Sequence, residues 1–328
     1  MERIATTPGL FPLPDWAKET LGDLKGHQKD DLVDGDESEA VTDAYDRARA
    51  EVIEAQREAG LGRIVEGQLR WDDMLAHPLA VHDAVETRGI VRYYDNNNFY
   101  REPVVTGPLT PDGDVADDLA AAADLAGGDP LQAVLPGPYS LADLATDDHY
   151  GDDREFLAAI AEFLRTEARA LPESATLFLL DPSLATNPPA DGATGAVTEA
   201  LETVAGNVEA EVVVHIYWGA PPAATYAAVL DAGIDAVGYD LVTAREASLA
   251  NVREHGTARA AALGVADGQN TRVESQGEID RRVAAFADAA DVERAYLTTN
   301  TELFYLPVNK FEAKLGALAE AAVREVEA

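Results

Sequence analysis

The chain contains no cysteine. That excludes disulfides, thiolate nucleophiles and cysteine-held metals, because no other side chain offers a thiolate. Lysine is scarce too, standing only at positions 18, 25, 29, 310 and 314. Basic residues number 25 against 60 acidic ones, a formal charge of −35. Such a surface repels phosphate backbones, so nucleic acid is excluded as a partner. No stretch approaches the roughly 18 uninterrupted apolar residues of a membrane span. The opening segment MERIATTPGLFPLPDW has neither the basic stretch nor the apolar run of a signal peptide. A soluble, cytoplasmic protein without membrane contact is expected. Phosphate loops, dinucleotide fingerprints and nucleophile elbows are missing as well.

The excess of acid opposes compaction in dilute buffer, where like charges interact over a Debye length of roughly 10 Å at 0.1 M salt. At 1 M that length falls to about 3 Å and the repulsion largely disappears. An acid-rich, lysine-poor chain therefore reads as halophilic. The acids are spread over helix faces such as 152–167 and 278–293, as solvated faces are.

What is present alternates. Short apolar runs lie at Arg63–Glu66, Leu131–Leu135, Thr176–Leu180, Glu211–Ile216, Ala236–Asp240, Ala260–Val265 and Ala295–Thr298, with Ile4–Thr7 as a first strand. Between them helical patterns fall near 38–59, 114–126, 152–171, 194–207, 221–232, 244–254, 278–289 and 309–327. About eight strands, apolar on both faces and separated by helices, predict parallel βα units closing into one (β/α)8 barrel over residues 1–328. Thr243–Glu246 and Ser275–Glu278 have capping-box spacing. Segment 91–110 breaks the alternation and reads as an inserted hairpin turning at Asn96–Asn98. Its Tyr93–Tyr100 cluster either holds that turn or presents rings and amides to a ligand as a lid. The acidic stretch 29–39 reads as an exposed loop.

In barrels of this kind the carboxyl ends of the strands build the site. Read in order, those ends carry Glu66, Gln68 and Arg70, then Asp181, His215 with Tyr217, Asp240, Asp267 to Asn270, and Asn300 with Thr301. His215 closes the run Val212-Val213-Val214 and Asp240 ends the next strand. A histidine so placed can bond a neighbouring strand end. With the carboxylate it can also share a metal or act as a base with an orienting partner.

The motifs also resemble a family. Thr6-Thr7-Pro8-Gly9-Leu10-Phe11-Pro12 is similar to the first strand and turn of the cobalamin-independent methionine synthases. Glu66 to Asp73 resembles their second-strand motif, Leu135 to Ser140 the turn after the third, and Leu180 to Leu184 the motif after the fourth. His215-Ile216-Tyr217, Asp235–Asp240 and Thr298–Leu303 follow in the family's order.

The resemblance implies a barrel whose zinc, held by His, Glu and two Cys, binds homocysteine as a thiolate that attacks the methyl group of a methyltetrahydrofolate. Carried over, the histidine is His215 and the carboxylate is Asp240, the two metal ligands if zinc is retained. Tyr217 and Thr301 stand in the cysteine positions, Leu10 in that of a homocysteine-contacting serine and Gln68 in that of an acid. His215, Asp240 and Asp181 then carry the catalytic roles. Gln68, Arg70, Asp95, Asn96, Asn97, Tyr217, Asn300 and Thr301 bind homocysteine or the methyl donor. Full-length synthases pair two barrels, one without zinc, so the chain reads as a non-zinc partner barrel of a separate zinc-bearing paralogous chain. Two other readings stay open. One is a non-catalytic barrel for a folate, corrinoid or thiol; the other is an acid/base enzyme of the uroporphyrinogen-decarboxylase kind.

Overall fold

The computed structural model describes residues 1–23, 37–71, 73, 75–94, 98–110, 114–190, 192–206 and 208–324. Eleven strands are found among them. They are β1 (Glu2–Ala5), β2 (Ile64–Val65), β3 (Val85–Arg92), β4 (Phe99–Val105), β5 (Leu131–Pro136), β6 (Thr146–Asp147), β7 (Thr176–Leu180), β8 (Glu211–His215), β9 (Ala236–Asp240), β10 (Ala260–Ala266) and β11 (Arg294–Thr299).

Eight of these form one curled parallel sheet in the order β1-β11-β10-β9-β8-β7-β5-β2, a TIM-barrel-like fold. Strands β5, β7, β9 and β10 are buried along their whole length, as expected of strands covered by core inside and helices outside. The seam between β2 and β1 carries no ladder. It is bridged by the Gly62 N–H donating to the Ala5 carbonyl at 3.0 Å. Gln132 of β5 adds a tie, accepting from the Thr6 hydroxyl at 2.7 Å and donating to the Thr7 carbonyl at 2.6 Å. On the seam side of Val65, the carboxamide of Gln56 stands in for a strand. It accepts the Val65 N–H at 2.9 Å and donates to the Val65 carbonyl at 2.8 Å.

The helices lie close to their predicted positions, and their ends have local causes. Helix Asp153–Ala170 starts where the Asp152 carboxylate accepts the Arg154 and Glu155 N–H groups, both at 3.1 Å. Helix Glu39–Ala59 ends on Gly60, whose left-handed φ of 86° suits glycine. The Ser275–Glu278 capping box forms. The one expected at Thr243 does not, because the Thr243 hydroxyl donates to Asp240 instead.

The inserted hairpin is β3 with β4, antiparallel, so it begins at Val85 rather than at 91 and ends at Val105. Strand β3 is exposed through most of its length and so lacks the alternation that marks a strand in sequence. Residues 106–110 are coil, held by the Thr106 N–H on the Ala84 carbonyl. The two-residue β6 extends this small sheet. Asp95, Asn96 and Asn97 of the expected turn, and 29–36 of the expected acidic loop, lie outside the described residues.

Candidate functional site

Because all eight barrel strands are parallel, Asp181, His215, Asp240 and Asn300 arrive at one rim, and each is 1% exposed or less. Their side chains are committed to different degrees. His215 Nε2 donates to the Asn300 carbonyl at 2.8 Å, which fixes the proton on Nε2. Its Nδ1 has no partner and fills the space that a Cβ at Gly238 would need. Burial pulls the imidazole down to about 4, against the opposing pull of the Asn300 carbonyl and Asp240, so the ring is neutral at pH 7. His215 thus bonds a strand end, but that of β11 across the barrel and not that of a neighbouring strand.

Asp240 is spent on its neighbours. One oxygen accepts the Val242 and Thr243 N–H groups at 3.0 and 2.8 Å, the other the Trp218 N–H at 3.2 Å and the Thr243 hydroxyl at 2.5 Å. The Asn300 amide donates to both at 3.2 Å. Asn300 also accepts the Gly268 N–H at 3.0 Å, so it clamps the ends of three successive strands. No lone pair of Asp240 is aimed at a ligand without losing a structural bond.

Asp181 differs. One oxygen accepts the Ser140 N–H and hydroxyl at 2.7 and 2.6 Å, while the other is buried without a partner. Burial pushes this carboxyl up to about 7. The same holds for Glu302, which sequence reasoning missed. Its Oε1 accepts from Gln269 at 3.0 Å, its Oε2 has no partner, and burial pushes it up to about 7. Tyr217 faces it. Each perturbs the other's ionisation, yet the pair lacks hydrogen-bond geometry and the Tyr217 hydroxyl is unpartnered. The only available signal for Glu302 was its place directly after Thr301.

The hairpin supplies the roof. Tyr94 reaches down to bond Ser183 through their hydroxyls, and the Tyr93 hydroxyl donates to Asp73 at 2.7 Å. Trp218 meets Tyr94 and Tyr217 with ring centroids 5.5 and 4.8 Å apart, at interplanar angles of 61° and 73°. Tyr94 and Trp218 hold positive φ values of 35° and 59°, a strained backbone for side chains of this size.

Other expected site residues go elsewhere. Gln68 accepts the Leu10 N–H at 2.8 Å and lies over Gly9, so it pins the first turn. Arg70 turns outward to Glu37 at 2.5 Å and Asp118 at 3.2 Å, with its guanidinium 4.5 Å from the centre of the Tyr45 ring. It does not join His215. Thr301 is buried at the rim beside Glu302.

The donors that the resemblance assigns to zinc do not fit it. The imidazole's free Nδ1 lies against the backbone at Gly238, Asp240 is saturated, and neither the Tyr217 phenol nor the Thr301 hydroxyl replaces a thiolate at neutral pH. Among the described residues, no three His, Asp or Glu side chains come together as a metal cage would need. None of the described helices is long and apolar enough to cross a membrane.

The comparisons agree with this architecture. The family model for the catalytic domain of cobalamin-independent synthases matches residues 5–324. A methionine synthase of Saccharolobus solfataricus is 22% identical over 327 residues, 98% of this chain and 94% of its own. One of Sulfolobus acidocaldarius is 23% identical over 215 residues, 65% of this chain and 61% of its own. A B12-independent methionine synthase from Shewanella sp. W3-18-1, solved in complex with selenomethionine, superposes with a TM-score of 0.79 at 19% identity, covering 97% of this chain and 96% of that one.

Proposed function

The chain belongs to the cobalamin-independent methionine synthase family, and from that premise we propose that it takes part in methyl transfer to homocysteine as a zinc-free barrel beside a separate, zinc-bearing chain. The observation that supports this reading is the commitment of the donors where the family binds metal. His215 and Asp240 are engaged by Asn300, and Tyr217 and Thr301 occupy the cysteine positions. In the family, zinc ionises the thiol of homocysteine. This chain's own residues offer something else: two carboxyl oxygens without a hydrogen-bond partner beside a group of aromatic rings, polar atoms that a small molecule would satisfy. In this reading the partner chain ionises the thiol and this barrel holds the methyl donor, with methyltetrahydrofolate the first donor to test.

The test is a methyl-transfer assay with homocysteine on protein purified in molar KCl, alone and with a zinc-bearing chain of the family, alongside metal analysis of both. Activity that needs the second chain, with zinc confined to it, is the expected result. One zinc per copy of this chain, or full activity alone, sinks the reading. His215→Ala is expected to cut partnered activity while leaving the barrel folded. Unchanged turnover in that variant removes His215 from the site.

A further inference from the structure

Asp181 Oδ2, Glu302 Oε2 and the Tyr217 hydroxyl are buried at one rim; Tyr217 and Glu302 face each other, but none of the three atoms is in hydrogen-bond geometry with a protein group. The indole N–H of Trp218, between Tyr94 and Tyr217, has none either. Buried polar atoms in folded proteins are nearly always paired, and a cluster of exceptions at a barrel mouth calls for a ligand.

The chemistry of the cluster narrows what that ligand is. Among the described residues, no arginine or lysine is one of the main charges acting on Asp181, Glu302, Tyr94 or Tyr217. Arg49 and Arg70 are turned to Glu66, Glu37 and Asp118, and the His215 Nε2–H is engaged by the Asn300 carbonyl. An anionic or carboxylate-bearing group would therefore meet two acids here, with only the neutral Trp218 N–H and Tyr217 O–H to receive it. A positive charge would meet two carboxyl oxygens beside a group of aromatic rings, whose quadrupoles attract cations. Ring geometry separates cations from flat neutral ligands. The rings of Tyr94 and Tyr217 stand at 61° and 73° to that of Trp218, forming a corner and not a parallel slot. A slot suits a planar heterocycle, whereas a corner suits a rounded methylated cation.

We propose that this mouth binds a methyl-onium compound, a sulfonium or quaternary ammonium, between Asp181 and Glu302 and against Tyr94, Tyr217 and Trp218, and that this cation is the methyl donor. The proposal rests on the methyl-transfer reading above and names its donor. The transfer balances without an acid at this site. A thiolate lone pair forms the new S–CH3 bond, and the C–S or C–N bond of the onium breaks. Its electron pair stays on the departing atom, which leaves as a neutral thioether or tertiary amine. The thiol's proton has already been lost at the partner chain.

The test begins with the intact wild-type chain at fixed molar KCl, titrated with trimethylsulfonium, with choline, and with 3,3-dimethyl-1-butanol, the uncharged carbon isostere of choline. Binding is read by calorimetry and tryptophan fluorescence. The cations are expected to bind at least about tenfold more tightly than the isostere, and Trp218→Leu and Glu302→Gln each to remove about tenfold of that preference. Equal binding of choline and its isostere overturns the proposal, and so does a preference untouched by both substitutions. The partnered assay separates the two ideas. Transfer from methyltetrahydrofolate but from no onium compound overturns this donor and leaves the reading above standing. Transfer from neither ends both.

Discussion

His215 Nε2–H donates to the backbone carbonyl of Asn300 at 2.8 Å, while the Asn300 side chain reaches on to Asp240 and Gly268. One residue thus locks the ends of three strands and sets the tautomer of the histidine. Asn300→Ala keeps the carbonyl but removes the clamp, leaving Asp240 and the Gly268 N–H short of partners. A loss of about 1–3 kcal/mol is expected for leaving such buried groups unmade. Chemical denaturation in molar KCl measures it, and an unchanged midpoint contradicts the clamp.

Glu302 gives a pH-dependent prediction with an unusual sign. Burial lifts its carboxyl to about 7 from 4.5, so the folded chain holds a proton there that the unfolded chain has lost. Below pH 4.5 both states are protonated and there is no penalty. As pH rises through 4.5 to 7 the folded state becomes costlier relative to the unfolded one, by at most about 3 kcal/mol. Glu302→Gln removes the ionisable group. It is expected to be more stable than wild type above pH 7 and to converge with it near pH 4.5. Parallel stability curves for the two proteins across that range would exclude the buried, proton-holding carboxyl.

Lys314 is buried and donates to Glu274 at 2.8 Å and to the Arg272 carbonyl at 2.7 Å. Glu274 in turn accepts the Asp267 N–H, so this pair fixes the loop that carries Gln269, the partner of Glu302. Lys314→Met strands a buried charge, and a loss of about 3–5 kcal/mol is expected by urea denaturation. The double change Lys314→Met with Glu274→Leu is expected to recover most of it. If the double variant is as unstable as the single one, charge burial is not the cause.

Net charge predicts the salt response. Thermal midpoints are expected to rise steeply from low to molar KCl as surface repulsion is screened. Lys314 with Glu274, and Arg49 with Glu66, are out of reach of that screening because they are buried. A flat response would contradict the electrostatic reading of the composition.

Most of the fold was legible because apolar runs such as Thr176–Leu180 and Val212–Val214 are long enough, and cleanly enough bounded, to mark buried strands. The hairpin's start was not, since strand β3 is solvated on both faces and carries no pattern to read. At the site, placing His215, Asp240 and Asp181 at one rim needed only the parallel topology. What escaped was direction and competition. Arg70 sits beside a strand end yet turns to outer helices, and Asp240 is drained by Thr243, which looked from its spacing like a helix cap. Glu302 escaped because burial depends on which loops fold over it, and Gln269 and Tyr217 come from two other loops.

Gln56 guards more than the seam. Strand β2 has only two residues, and Val65 would otherwise present a bare N–H and C=O toward the gap beside β1. Buried backbone groups left unpaired are costly. By occupying both groups with a single carboxamide, helix Glu39–Ala59 leaves neither of these buried backbone groups unpaired at the joint where the parallel sheet has no ladder.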